Sequence, residues 1–223
     1  MPSRLLIGAG ALAALVLVAG ALLADTPRAF TLGVTNGLVA AELRPGQQAC
    51  QRPIAVPEDG GFDRVRFSLG TYKRPGPAVD LTVLPAGGGA PLARGGLPAG
   101  YPDVDRTPNH TVAVGDVAAG ERIQVCLTNR GPNKVAVYGN ADAANRTSTA
   151  TRDGKPLGTD LNLAFERDER TLAALAPAIA DRASLFHAGW VGPWTYVLLA
   201  LVVVLGVPLL LVRALRAAEE DAA

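Results

Sequence analysis

Val65-Arg66-Phe67-Ser68-Leu69-Gly70-Thr71 decides the fold class, because apolar and polar side chains alternate along it. Successive side chains of a strand point to opposite faces, so a period of two puts one face in a core and the other toward water. Val79-Asp80-Leu81-Thr82-Val83 repeats the pattern, and so does Ile123-Gln124-Val125-Cys126-Leu127-Thr128. Val135–Tyr138 and Leu161–Phe165 are further strand candidates, with His110–Val114 a weaker one. Between them lie turn-forming runs: Gly87-Gly88-Gly89, Gly95-Gly96, Ala118-Ala119-Gly120, Asn129-Arg130-Gly131-Pro132-Asn133 and Asp153-Gly154. Many short strands with Gly/Pro-rich connections predict a mainly β protein, an antiparallel β-sandwich over residues 25–168. Rossmann and α/β-barrel folds are disfavoured, because their crossover helices are missing.

Outward from this middle the pattern changes. Leu5 to Ala24 is one apolar run, about 30 Å long as a helix, which matches a bilayer core. Residues 1–24 therefore read as an uncleaved signal-anchor or as a cleaved signal peptide, and both readings export the chain beyond Ala24. Toward the other end, Trp194 to Val212 reads WTYVLLALVVVLGVPLLLV without a charge, and residues 190–212 are expected to form a transmembrane helix. Trp190, Trp194 and Tyr196 would form its interfacial belt, and Arg213 and Arg216 would hold the tail, 213–223, in the cytoplasm. Gly206 and Pro208 predict a kink inside it. Leu172, Leu175, Ile179, Ala183 and Phe186 recur at helical spacing, so 169–189 reads as a juxtamembrane helix interrupted by Pro177. The mixed run Arg167-Asp168-Glu169-Arg170 reads as its solvated start.

Composition bounds the chemistry. Of 223 residues only 18% are charged, below the usual quarter of a soluble chain, in keeping with lipid-facing segments. Twenty-one basic and 20 acidic residues leave a net charge of +1, which excludes a polybasic nucleic-acid arm. Arginine supplies 18 of the 21 basic residues, a bias read as that of a GC-rich bacterial genome. Two His and two Cys cannot build a zinc ribbon or an iron–sulfur site, so neither metal nor cofactor is expected. Export puts Cys50 and Cys126 in an oxidising compartment, on polar faces of their strands, and a disulfide between them is expected. Closing a loop of about 77 residues would remove roughly 4–5 kcal/mol of unfolded-state entropy in the simple chain model.

The stretch Gln51–Pro57, followed by Phe62–Tyr72, Val79–Leu84, Leu92-Ala93 and Gly120–Leu127, carries a resemblance. It resembles the jelly-roll, carbohydrate-binding-module-like exported domains of bacterial membrane proteins, including some linked to cell-surface polysaccharide synthesis, over about residues 50–139. The resemblance implies a flat aromatic ligand platform. Tyr72, Tyr101 and Tyr138 are the residues that could form it, although none has a Trp beside it.

No catalytic motif is legible. His110 reads as a loop residue at the entry to a strand, and no G-x-S-x-G or phosphate loop is present. Asp103 and Asp105 offer oxygens two residues apart without the rest of an EF-hand pattern. The expected function is therefore non-enzymatic: a membrane-anchored exported β-sandwich that binds or positions a partner in the bacterial cell envelope. A glycan, polysaccharide machinery or a membrane protein complex is the expected partner, with membrane lipid around the anchors and no nucleic acid. The alternatives are an envelope enzyme without a local motif and a structural subunit of a membrane complex. The charge pattern places residues 25 to about 189 outside the cell membrane and both short ends inside. A Cys introduced at Ala222 should react with an impermeant maleimide only after permeabilisation. Labelling on intact cells would contradict this topology.

Overall fold

The structure is a computed structural model that describes residues 10, 13–14, 16–102, 109–141, 149–184, 191–206, 208–210, 212–214 and 217. The chain divides into two compact units, Pro27–Asp168 and a second formed by Met1–Thr26 with Glu169–Ala223.

Antiparallel strands build the first unit, in two sheets. One sheet runs β1 (Asp25–Thr31), β13 (Leu163–Thr171), β4 (Phe62–Gly70), β9 (Val135–Asn140), β12 (Asp160–Leu161), with β2 (Leu38–Leu43) also on β9 and β7 (Asn109–Val117) also on β4. The other runs β11 (Lys155–Pro156), β10 (Ala150–Arg152), β3 (Gln48–Ala55), β8 (Arg122–Asn129), β5 (Val79–Pro85), β6 (Ala93–Leu97). The mainly β expectation holds, and the alternation explains why. Val65, Phe67 and Leu69 of β4, Val79, Leu81 and Val83 of β5, and Ile123, Val125 and Leu127 of β8 all point into one shared core. Each such side chain contributes roughly 1.5–3 kcal/mol by leaving water. Phe165 stacks on Phe30 with ring centroids 4.2 Å apart and meets Phe62 edge-on at 4.7 Å, so three strands or strand ends share one aromatic cluster.

Cys50 and Cys126 are directly opposite on β3 and β8 and form a disulfide, with Cα atoms 4.1 Å apart. They point away from the core that their neighbours Ala49 and Leu127 enter, as the polar-face reading requires. Both are nonetheless buried, at 4% and 3% exposure, so the bridge is not solvated as a surface position would be. Inside the sandwich Gln51 performs the polar counterpart. Its Nε2 donates to Thr149 Oγ1 and Asp160 Oδ1, both at 2.8 Å, and its Oε1 accepts from the Leu161 amide at 2.9 Å. A buried side chain of β3 is thus satisfied by β12 of the other sheet and by Thr149 beside β10 of its own, where an unpaired amide would cost about 1–3 kcal/mol.

Several expectations need correction. The run Arg167–Arg170 belongs to the end of β13, not to a helix start, and Arg167 is buried with its guanidinium donating to the Asp59 carbonyl. The helix expected at 169–189 is α1 (Leu172–Ser184), which begins where the strand ends. His110 lies within β7, opposite Phe67, and not in a loop. No helix among the described residues is long and apolar enough to cross a membrane. Over the expected span 190–212, α2 (Pro193–Leu201) gives way to a π-helical turn, Val202–Gly206. A proline lacks the N–H for the regular ladder and crowds the carbonyl four residues earlier, so Pro208 accounts for a break here. Trp194 is exposed, and Tyr196 donates to the Ala183 carbonyl at 3.1 Å. Arg213 is exposed. Trp190, Arg216, Asp103, Asp105 and part of the apolar run 5–24 lie outside the described residues.

The seam between the sheets at β6 and β7 depends on one missing side chain. A Cβ on Gly95 would lie 2.2 Å from the Ala113 carbonyl oxygen, so only glycine lets these two strands approach so closely. Gly95→Ala should therefore cost about 1–3 kcal/mol of stability through backbone displacement. Gly96→Ala, where a Cβ meets nothing closer than 3.7 Å, should cost less. Urea unfolding of the two variants checks the difference.

Candidate functional site

The solvent side of the β2–β9 pair gathers two of the three candidate platform tyrosines, Tyr72 and Tyr138. Tyr138 lies on β9 opposite Val39 of β2, and Gly70 at the end of β4 pairs with Ala136 of β9. The Tyr138 ring lies across Gly70, where a Cβ would come within 2.9 Å of its hydroxyl. Tyr72 follows in the turn after β4. Tyr72 and Lys73 both adopt positive φ, +55° and +61°, a region that L side chains enter only when their surroundings hold them there. Here the holding contact is Glu42 of β2, whose Oε2 accepts the Tyr72 hydroxyl at 2.6 Å. Lys134 donates to the same oxygen at 2.9 Å, and its Nζ stands 4.3 Å from the Tyr72 ring centroid, within range of a cation–π attraction.

Electrostatics follow from this geometry. Burial first, then the hydrogen bond and charge of Glu42, push the Tyr72 phenol up to about 12. The Tyr138 phenol adds the smallest share of that shift. The Glu42 carboxyl is held below its ordinary value, chiefly by the Tyr72 hydrogen bond and next by that of Lys134. At neutral pH the patch thus carries a neutral phenol, a carboxylate and an ammonium, beside two ring surfaces. Tyr72 remains 43% exposed, so its ring can still be covered by a ligand. Such a patch offers stacking surface together with hydrogen-bond donors and acceptors.

Tyr101 does not join the other two. Its ring packs edge-on against His110, with centroids 4.6 Å apart, and lies against Gly76. The Tyr101 hydroxyl and His110 Nε2 are buried and have no hydrogen-bond partner among the described residues. Burial pushes the Tyr101 phenol well above its ordinary range and the His110 imidazole below its ordinary value. Tyr101 is thus a half-buried packing residue rather than part of a platform. Glu42 and Lys134 are not legible as site residues in the sequence, since they meet only because β2 pairs with β9, 92 positions later in the chain.

No family model matches this chain, and no curated protein matches it. Among solved structures it is similar to the carbohydrate-binding module CsCBM6-3 from Clostridium stercorarium, solved in complex with cellobiose. The match has 15% sequence identity and a TM-score of 0.31, and covers 52% of this chain and 82% of that chain. That likeness assigns neither a site nor a ligand here.

The depressed His110 pKa has a consequence for folding. In the unfolded chain His110 takes up a proton near 6.5, whereas the folded protein resists it. Its neutral form therefore contributes stability above pH 6.5, and that contribution is lost as pH falls through the lower folded value. Denaturant unfolding at about pH 8 and about pH 5 should show a smaller loss on acidification in His110→Gln than in the parent protein. Equal losses would contradict the assignment.

Proposed function

We propose that the protein is a non-catalytic binding module of the bacterial cell envelope whose Tyr72–Tyr138 face takes a glycan. The convergence of Tyr72 and Tyr138 on one sheet face carries the reading, with Glu42 and Lys134 beside them. A pyranose presents an apolar C–H face for an aromatic ring and hydroxyls around its edge for a carboxylate and an ammonium. The Tyr72–Glu42 hydrogen bond supports rigid placement of the ring, so little side-chain freedom is lost on binding. In this reading the apolar segments at 1–24 and 190–212 tether the β domain outside the membrane and the tail lies in the cytoplasm. Tethering would raise its effective concentration toward lipid-linked or surface glycans.

A glycan array probed with the purified full chain tests this directly. At least one neutral glycan should be retained, and Tyr72→Ala and Tyr138→Ala should each weaken that binding by about 1–2 kcal/mol. Absence of binding across the array, or undiminished binding in both variants, would sink the reading.

A further inference from the structure

The other sheet has a site of its own on its solvent side. At the end where β3, β8 and β10 meet the β5–β6 turn, an open cleft of about 720 Å³ is lined by Arg52, Arg122, Glu121 and a wall of Pro53, Pro85 and Pro156. Register explains the arginines. Ala49 and Gln51 of β3 point inward, and the irregularity between Gln51 and Ile54 leaves Arg52 and Pro53 outside before Ile54 returns to the core. Arg122 opens β8 opposite Ala55.

Two observations bear on what these arginines can bind. Arg64, Arg66 and Arg130 each find a carboxylate, on Asp63 and Asp168, Glu166 and Asp80 respectively. Arg52 and Arg122 are exposed and make no side-chain hydrogen bond or ion pair among the described residues. Second, the wall of the cleft is held from behind. Thr149 and Ala150 line it, and Thr149 is fixed by its amide donating to Asp160 Oδ1 at 3.0 Å and by its hydroxyl accepting from buried Gln51. This wall of the cleft is therefore held by part-buried hydrogen bonds. A second cleft on this face, about 460 Å³ beside Asp80, is lined by Arg94 and by Arg130, the latter paired with Asp80 at 2.7 Å, and has no proline in its lining.

We propose that the larger cleft binds an anionic saccharide, with the ligand's carboxylate held by Arg52 and Arg122 and its ring against the proline wall. Guanidinium forks match the planar geometry of a carboxylate and are weakly hydrated, so they give up water readily on pairing. Two arginines against one glutamate leave one net positive charge, which matches one carboxylate per sugar residue. Glu121 then serves as an acceptor for a sugar hydroxyl. The proline rings supply apolar surface that a bare oxyanion would leave unused.

This site is on the opposite sheet from the tyrosine face, so it stands or falls separately. Calorimetric titration of the purified full chain with a galacturonate oligosaccharide, its neutral galactose counterpart and inorganic phosphate tests it. The uronate should bind, at least tenfold more tightly than the neutral sugar and more weakly at high salt. Arg52→Gln and Arg122→Gln should each weaken it by about tenfold with Tm unchanged, and Tyr72→Ala should leave it as it was. No uronate binding, equal binding of the neutral sugar, or full binding in both arginine variants would overturn the proposal. Phosphate binding as tight as that of the uronate would overturn the saccharide assignment.

Discussion

The register of β3 on β8 is the constraint on which the rest of the β unit depends, and the Cys50–Cys126 bond makes it covalent. Because side chains alternate, a slip of one residue would send every inward group of β3 outward. Ala49 and Ile54 would leave the core, and Gln51 would lose Thr149, Asp160 and the Leu161 amide together. The same slip would turn Arg52 into the sandwich, where an unpaired guanidinium is far more costly than an exposed one. One cross-strand pair thus decides the composition of the core and of the surface alike.

The two sheets treat charge differently on their solvent sides. On β4 and β13 it is consumed locally: Arg66 pairs with buried Glu166 at 3.2 Å, and Arg64 is shared between Asp63 and Asp168. Side by side these pairs leave neither arginine unmatched. The face around Glu42 also balances its charges, yet it keeps the rings of Tyr72 and Tyr138 partly exposed at the edge of the ion pair. Around Arg52 and Arg122, positive charge stands against apolar surface with no ion pair among the described residues. Three surfaces of one unit are therefore chemically distinct.

Much of the β unit is legible in the chain, because the signal is local. The strands β4, β5, β8 and β9 follow from alternation, and their apolar positions are the buried ones. The short strands β10, β11 and β12 carry too few residues to show a period, and β2 is rich in alanine, which marks neither face. Arg167–Arg170 reads as a solvated helix start because charge outweighs pattern there; pairing and burial override it. Of the tyrosines, position in sequence does not distinguish Tyr101 from the others. Its ring is drawn in by Gly76 and His110, contacts that loop closure makes and periodicity does not record. Tyr72 gains Glu42 and Lys134 as neighbours only through long-range pairing.

The close approach of Gly95 to Ala113 has a further consequence, for association between molecules. Strand edges offer unpaired amides and carbonyls to any other chain, and a β protein must protect them from self-templating. β6 ends its sheet, and β7 lies on the far side of β4 from β13. By lacking a side chain, Gly95 lets one terminal strand lie against the other, so each limits access to its neighbour's backbone. The double glycine that weakens β6 as a strand is thereby a guard against intermolecular sheet growth, which matters most while a newly made chain is still crowded against its copies.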